Sequence, residues 1–334
     1  MAGVSRAQRE HVGSWTRWLA LAAIVAGGGC VPVPLPSPRP VSPDGSRSAL
    51  GMLERLGRFD GERFRSVTPG SVPPSHVYVL VHGWAPGWGD QAVDDPRLRS
   101  WAAESPSGEP FEPWVRQLTV AILEADPHAV VLAYSWLDDA ATGRFILAQR
   151  RAFAHTDLHG RWLAEALMQA TCDDFIANSG RVHLIGHSYG ARVVTLAALY
   201  MSKRPQQITL FDSPDAPVTY ITGSQTMLAS LLRKLPIGDG PGEIFVDNYI
   251  SVFGAYYHDA PGLSGVVDVL LSPPYGSMDY RRRHLYPMEF YAQTAELDFG
   301  LGWSPLLVEH TRASGCYEQE YGVVAVSPGC RGVP

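Results

Sequence analysis

The chain has 334 residues, of which 46% are hydrophobic and 18% charged. That composition suits one large buried domain and excludes a disordered polypeptide. Formal net charge is −6; Arg6, Arg9 and Arg17 stand against Glu10 in the first thirty residues, leaving 24 basic and 32 acidic residues, a balance of −8. Such a balance argues against nucleic acid or an anionic membrane surface as partner, since both need a basic face.

Residues 1–30 read as an export signal: arginines, then the apolar stretch Trp18 to Ala26, then Gly27-Gly28-Gly29 before Cys30. The apolar stretch is too short to span a bilayer. Cysteine after small residues resembles a bacterial lipoprotein cleavage box, although Gly27 stands where such boxes usually carry leucine. Two destinations follow: the cell envelope, tethered through a lipidated Cys30, or ordinary secretion. Residues 31–44 form a stiff linker with prolines at 32, 34, 36, 38, 40 and 43, and 45–75 form a lead-in.

From residue 76 to 297, β-rich runs alternate with helical patterns, the mark of a mostly parallel sheet covered on both faces. Val77 to Val81 reads as a strand ending at His82-Gly83-Trp84. Trp114, Val115, Leu118 and Ile122 have helical spacing, Ala129 to Trp136 is a strand, and Trp162, Leu163, Ala166, Leu167 and Ala170 share a helical face. Arg181 to Gly186 is the next strand; Ala191 to Tyr200, apolar nearly all round, predicts a central buried helix. Strands follow at 207–211, 243–253 and 266–271, with a helix after His284. Arg281-Arg282-Arg283 reads as a solvated loop. Two connections are long, 85–113 and 218–242. The second carries Met227, Leu228, Leu231, Leu232 and Leu235 on one face, after Ser224 as a plausible N-cap, and reads as either a lid helix or a scaffold helix.

In the tail, 298–334, Cys316 and Cys330 are placed to close a disulfide-bonded loop in an oxidising compartment. Cys172 is then a buried thiol, or a partner for Cys30 if that residue is not lipidated. No Cys/His spacing resembles a zinc site, and neither a metal nor a cofactor is expected.

The chemistry centres on Gly186-His187-Ser188-Tyr189-Gly190. An apolar strand running through Gly-x-Ser-x-Gly into a helix is a nucleophile elbow, which lifts the serine hydroxyl out at a cramped turn. A serine hydroxyl needs a base, an acid to orient that base, and donors for the oxyanion. Serine, carboxylate and histidine follow in that order in this type of chain. His284 is the candidate base, on a loop before Leu285–Tyr291 with Pro287 in the first helical turn; His258 is its rival. His183 and His187 read as structural, and His155 and His159 precede the serine. Asp212 closes the strand after the serine helix and is the candidate acid, with Asp247 and Asp259 as alternatives. The oxyanion donors are expected to be the backbone amides of Tyr189 and Trp84.

On these residues the chain resembles the α/β-hydrolase superfamily, and within it lipase- and esterase-like members. The resemblance is carried by Val79–Trp84, Gly186–Gly190, Ile208–Pro214 and His284, across roughly residues 76 to 297. The short gap from Ser188 to Asp212 is similar to the pancreatic-lipase-like branch, whose acid sits in a Leu-Asp-Pro setting; here the residues are Phe211-Asp212-Ser213-Pro214. The segment Val246–Ser251 with Phe253-Gly254 resembles bacterial extracellular hydrolases of this type. The resemblance implies an exported serine hydrolase cleaving small-molecule or lipid carboxylic esters through an acyl-enzyme. An acyltransferase or amidase shares the same residues. A non-catalytic envelope binding protein on this fold is the alternative from another class.

Overall fold

The computed structural model describes residues 52–73, 75–85, 113–141, 146–171, 181–213, 227–238, 240–251, 265–271, 280–294 and 323–326. The expectations for Cys30, Cys172, Cys316, Cys330, Ser224, His258 and Asp259 fall outside these residues.

Among the described residues nine strands make one sheet. In chain order they are β1 (Leu56–Phe59), β2 (Phe64–Ser66), β3 (His76–Val81), β4 (Val130–Tyr134), β5 (Arg181–His187), β6 (Gln207–Phe211), β7 (Phe245–Ser251), β8 (Val266–Leu271) and β9 (Val323–Val326). Their spatial order is β2-β1-β4-β3-β5-β6-β7-β8-β9. The run from β4 to β8 is parallel throughout. The three outer strands β1, β2 and β9 pair antiparallel. The sheet therefore reaches into both the lead-in and the tail, where strands of only three or four residues leave almost no periodic signal.

The helices among the described residues are α1 (Pro113–Ala125), α2 (Leu137–Ala140), α3 (Ile146–Thr171), α4 (Tyr189–Tyr200), α5 (Met227–Leu232) and α6 (Tyr280–Gln293). Alternation along the strands sends side chains to opposite faces, and both faces are buried. Val77, Val79 and Val81 of β3, with Leu184 and Leu210, pack under α3 and α4 through Leu163, Leu167, Val193 and Val194. Tyr78, Leu80, Ile185 and Phe211 face the other way, against Trp114 and Leu118 of α1 and Tyr291 of α6. Burial on both faces is why the central strands read as continuous apolar runs. Helix α4 is buried from Tyr189 to Ala198, as its apolar circumference predicts. Leu232 of α5 and Leu235, just after it, join the core shared with α4.

Helix α6 corrects one expectation. It starts at Tyr280, so the three arginines lie in its first turns and His284 sits within the helix instead of on a preceding loop. Arginine is a good helix former, and Pro287, deeper in the helix than expected, forfeits only the bond to the Arg283 carbonyl. No helix among the described residues is long and apolar enough to cross a membrane.

Candidate active site

Because β3 to β8 run parallel, their carboxyl ends share one rim, the edge where open α/β sheets place their sites. Ser188 follows the last residue of β5 and caps α4 with φ 53° and ψ −126°. Left-handed φ at a non-glycine residue is strained. The turn is held by the Ser188 N–H, which donates to the Phe211 carbonyl at 2.9 Å, and by the Ser188 carbonyl, which accepts from Ala191. Glycine is required at two positions around it. A Cβ on Gly190 would lie 2.4 Å from the Val81 carbonyl oxygen, so only glycine lets α4 start this close to β3. A Cβ on Gly83 would lie 2.6 Å from the Ser188 Cβ and 3.2 Å from its Oγ. The exit of β3 thus passes directly over the serine, carrying the Trp84 amide with it. The Tyr189 amide opens α4 on the other side, where the helix dipole adds positive potential.

Asp212 follows β6 directly and also has left-handed φ, 40°. Its N–H continues the ladder to the Tyr249 carbonyl at 2.8 Å, and its Oδ1 accepts from the Ser251 N–H at 3.2 Å. The side chain is fully buried, and Oδ2 lies 2.5 Å from Nδ1 of His284. His284 remains 16% exposed at the rim. The structure therefore brings Asp212 and His284 together beside the Ser188 turn, since Phe211, which holds the serine amide, immediately precedes Asp212.

Asp247 lies elsewhere. It is central in β7, on the face covered by α1 and α6, and points along the sheet. Its Oδ1 accepts from the Thr209 hydroxyl at 2.6 Å and from Gln207 Nε2 at 3.3 Å. Thr209 in turn accepts from His183 Nε2 at 2.7 Å. The Asp247 Oδ2 has no hydrogen-bond partner among the described residues. Burial pushes this carboxyl up to about 7 and the His183 ring well below its usual value, so the seam favours neutral groups.

Two further histidines, His82 and His187, make specific contacts. His82 is buried; its Nδ1–H donates to the Gly83 carbonyl at 2.9 Å and its Nε2 accepts from the Trp136 N–H at 3.0 Å. The Trp136 indole N–H donates back to the His82 carbonyl at 2.6 Å. Desolvation pushes His82 down to about 4, in keeping with a neutral ring whose tautomer is fixed by these bonds. The β3 exit is thereby clamped to the β4 exit. Sequence reasoning missed Trp136, whose apolar context in the strand 129–136 gave no sign of this role. His187, the residue before the serine, packs its ring against that of His284 at a centroid distance of 4.4 Å.

Asp138, Asp139 and His159 form the group of metal-ligand type found among the described residues, with ligand atoms within 4.8 Å of one another. Those atoms already have protein partners. Asp138 grips Arg55 at 2.7 and 2.8 Å, while His159 bridges the Tyr134 hydroxyl at 2.9 Å and Asp139 at 3.0 Å. The group ties α2 and α3 to the lead-in strand.

The six-stranded parallel run, the strained serine between β5 and α4, and the carboxylate and histidine on later elements of the same rim define an α/β-hydrolase fold. No family model matches the chain. Bovine and ovine lipoprotein lipase are each 30% identical to it over 138 residues, 41% of this chain and 23% of the lipase. The chain thus spans about a quarter of the length of the curated relatives it matches. Among solved structures it is similar to an α/β serine hydrolase without lid from Xanthomonas campestris, with 14% identity, TM-score 0.35, and coverage of 75% of this chain and 96% of that one. It is also similar to an acetylxylan esterase, with 11% identity, TM-score 0.35, and coverage of 68% and 95%.

Proposed function

We propose that the chain is a serine hydrolase of carboxylic esters, with Ser188 as nucleophile, His284 as base and Asp212 as the acid that orients it. The observation that carries the reading is the 2.5 Å pairing of Asp212 Oδ2 with His284 Nδ1 beside the serine turn. With Nδ1 committed to the carboxylate, Nε2 is the nitrogen that takes the Ser188 proton as Oγ attacks the ester carbonyl. The tetrahedral oxyanion is held by the Tyr189 and Trp84 amides, and its collapse expels the alcohol, which leaves with the proton from His284. Water then repeats the sequence against the acyl-enzyme, releasing the acid and restoring Ser188.

Localisation belongs to the same proposal: export directed by residues 1–30, followed by lipidation of Cys30 or by secretion. Mass measurement of the mature N-terminus distinguishes these two fates. The test of the chemistry is labelling by a fluorophosphonate probe together with hydrolysis of p-nitrophenyl esters of increasing chain length. Wild type is expected to be labelled and active. Ser188→Ala is expected to be unlabelled, with kcat lower by ~10⁶-fold. A folded wild type that neither labels nor turns over any ester would favour the binding-protein alternative.

A further inference from the structure

His187 is buried, lies between the serine elbow and α6, and has no part in the proton transfers above. Its Nε2 lies 3.2 Å from the backbone carbonyl oxygen of His284. A carbonyl only accepts, so Nε2 carries the hydrogen in this contact. The ring rests against that of His284 at 4.4 Å and meets Trp114 of α1 edge-on at 5.8 Å. Burial, and then the neighbouring His284, hold His187 well below the usual histidine range, so it stays neutral while its neighbour cycles its charge.

The base is thus fastened at two points. Asp212 holds the ring of His284 through Nδ1, and His187 holds its backbone. The second fastening starts from the residue adjacent to the nucleophile, so it links the two reacting residues through one short path. It also sits where Pro287 has already removed a neighbouring helix bond, leaving this turn of α6 with one internal restraint fewer.

We infer that His187 is a positioning residue for the base: its Nε2–H bond to the His284 carbonyl sets the distance at which His284 meets Ser188. The inference rests on the hydrolase reading and deepens it. A displacement of about 1 Å at a reacting group costs ~10²-fold in rate, so loss of the donor should act on kcat.

Three variants separate donor from ring. His187→Gln keeps an N–H donor at a similar reach, His187→Phe keeps the ring without the donor, and His187→Leu keeps neither. With p-nitrophenyl butyrate, Phe and Leu are expected to lower kcat by ~30- to 100-fold with KM within about two-fold, and Gln to recover most of the loss. Fluorophosphonate labelling rates should follow the same order. Equal kcat in all three variants and wild type, or a loss in Gln as large as in Leu, overturns the inference. Should Phe or Leu fail to fold, nitrogen-15 spectra of the wild-type histidines decide the case. His187 is expected to be Nε2-protonated at neutral pH; an Nδ1-protonated ring overturns the assignment. Labelling of wild-type Ser188 keeps the two readings apart, because unlabelled wild type defeats the hydrolase reading, whereas labelled wild type with unaffected variants defeats only the role of His187.

Discussion

Replacing Asp247 by asparagine should remove a loss of stability that wild type suffers as pH rises. The carboxyl is fully buried, one oxygen lacks a hydrogen-bond partner among the described residues, and desolvation raises it from 3.8 to about 7. A raised acid favours the folded state most when protonated in both states, below pH 3.8. That advantage is lost as pH rises towards 7, because the unfolded chain ionises first; above 7 the loss levels off. At 1.36 kcal/mol per pH unit the full penalty is about 4 kcal/mol, of which about 3 kcal/mol develops between pH 5 and pH 8. Asparagine cannot ionise, yet it keeps an oxygen for Thr209 and brings a buried amide N–H₂ whose cost of ~1–3 kcal/mol does not vary with pH. The quantity to measure is therefore the difference in urea-unfolding free energy between Asp247→Asn and wild type across this range. It should move in favour of the variant by about 3 kcal/mol from pH 5 to pH 8. A difference that stays flat would refute the reasoning, since it would mean that Asp247 is no harder to ionise in the folded protein than in the unfolded one.

Asp212→Asn should lower kcat for ester hydrolysis by ~10⁴-fold, whereas Asp247→Asn should leave it within about three-fold, because only the first holds the His284 tautomer. Comparable losses in steady-state assays would reopen the choice of acid. Gly83→Ala should lower kcat by ~10²-fold without unfolding the domain, since the new Cβ displaces the β3 exit from Ser188 and moves the Trp84 amide; kinetics and circular dichroism on one sample check both halves. Asp138→Asn should destabilise the protein by ~3–5 kcal/mol by leaving the Arg55 guanidinium buried without its counter-charge, and the pair Arg55→Met with Asp138→Leu should recover most of that in denaturant titration.

What the sequence alone determined here is local. Buried parallel strands and a helix buried all round announce themselves through unbroken apolar runs, so β3, β5, β6 and α4 were legible, as was Ser188 between two glycines at a strand-to-helix turn. The two antiparallel strands of the lead-in and the one in the tail were not, because three or four residues carry too little periodicity. The start of α6 was misplaced for a related reason: three arginines and a proline look like punctuation, but helix propensity and packing of Tyr286, Met288 and Phe290 outweigh one lost bond. Chain order narrowed the acid to Asp212, Asp247 or Asp259, and the place of Asp212 at the end of its strand put it first. Asp212 and Asp247 end or interrupt neighbouring strands, and what separates them is direction. At residue 212 the backbone turns left-handed and delivers the carboxylate to the rim, while at 247 the strand continues and the carboxylate is bound to Thr209 of the neighbouring strand. The same holds for His187 and Trp136, whose partners lie 97 and 54 residues away. Contacts across such separations depend on how strands register and helices dock, and that is set by the packing of the whole core rather than by any window of sequence.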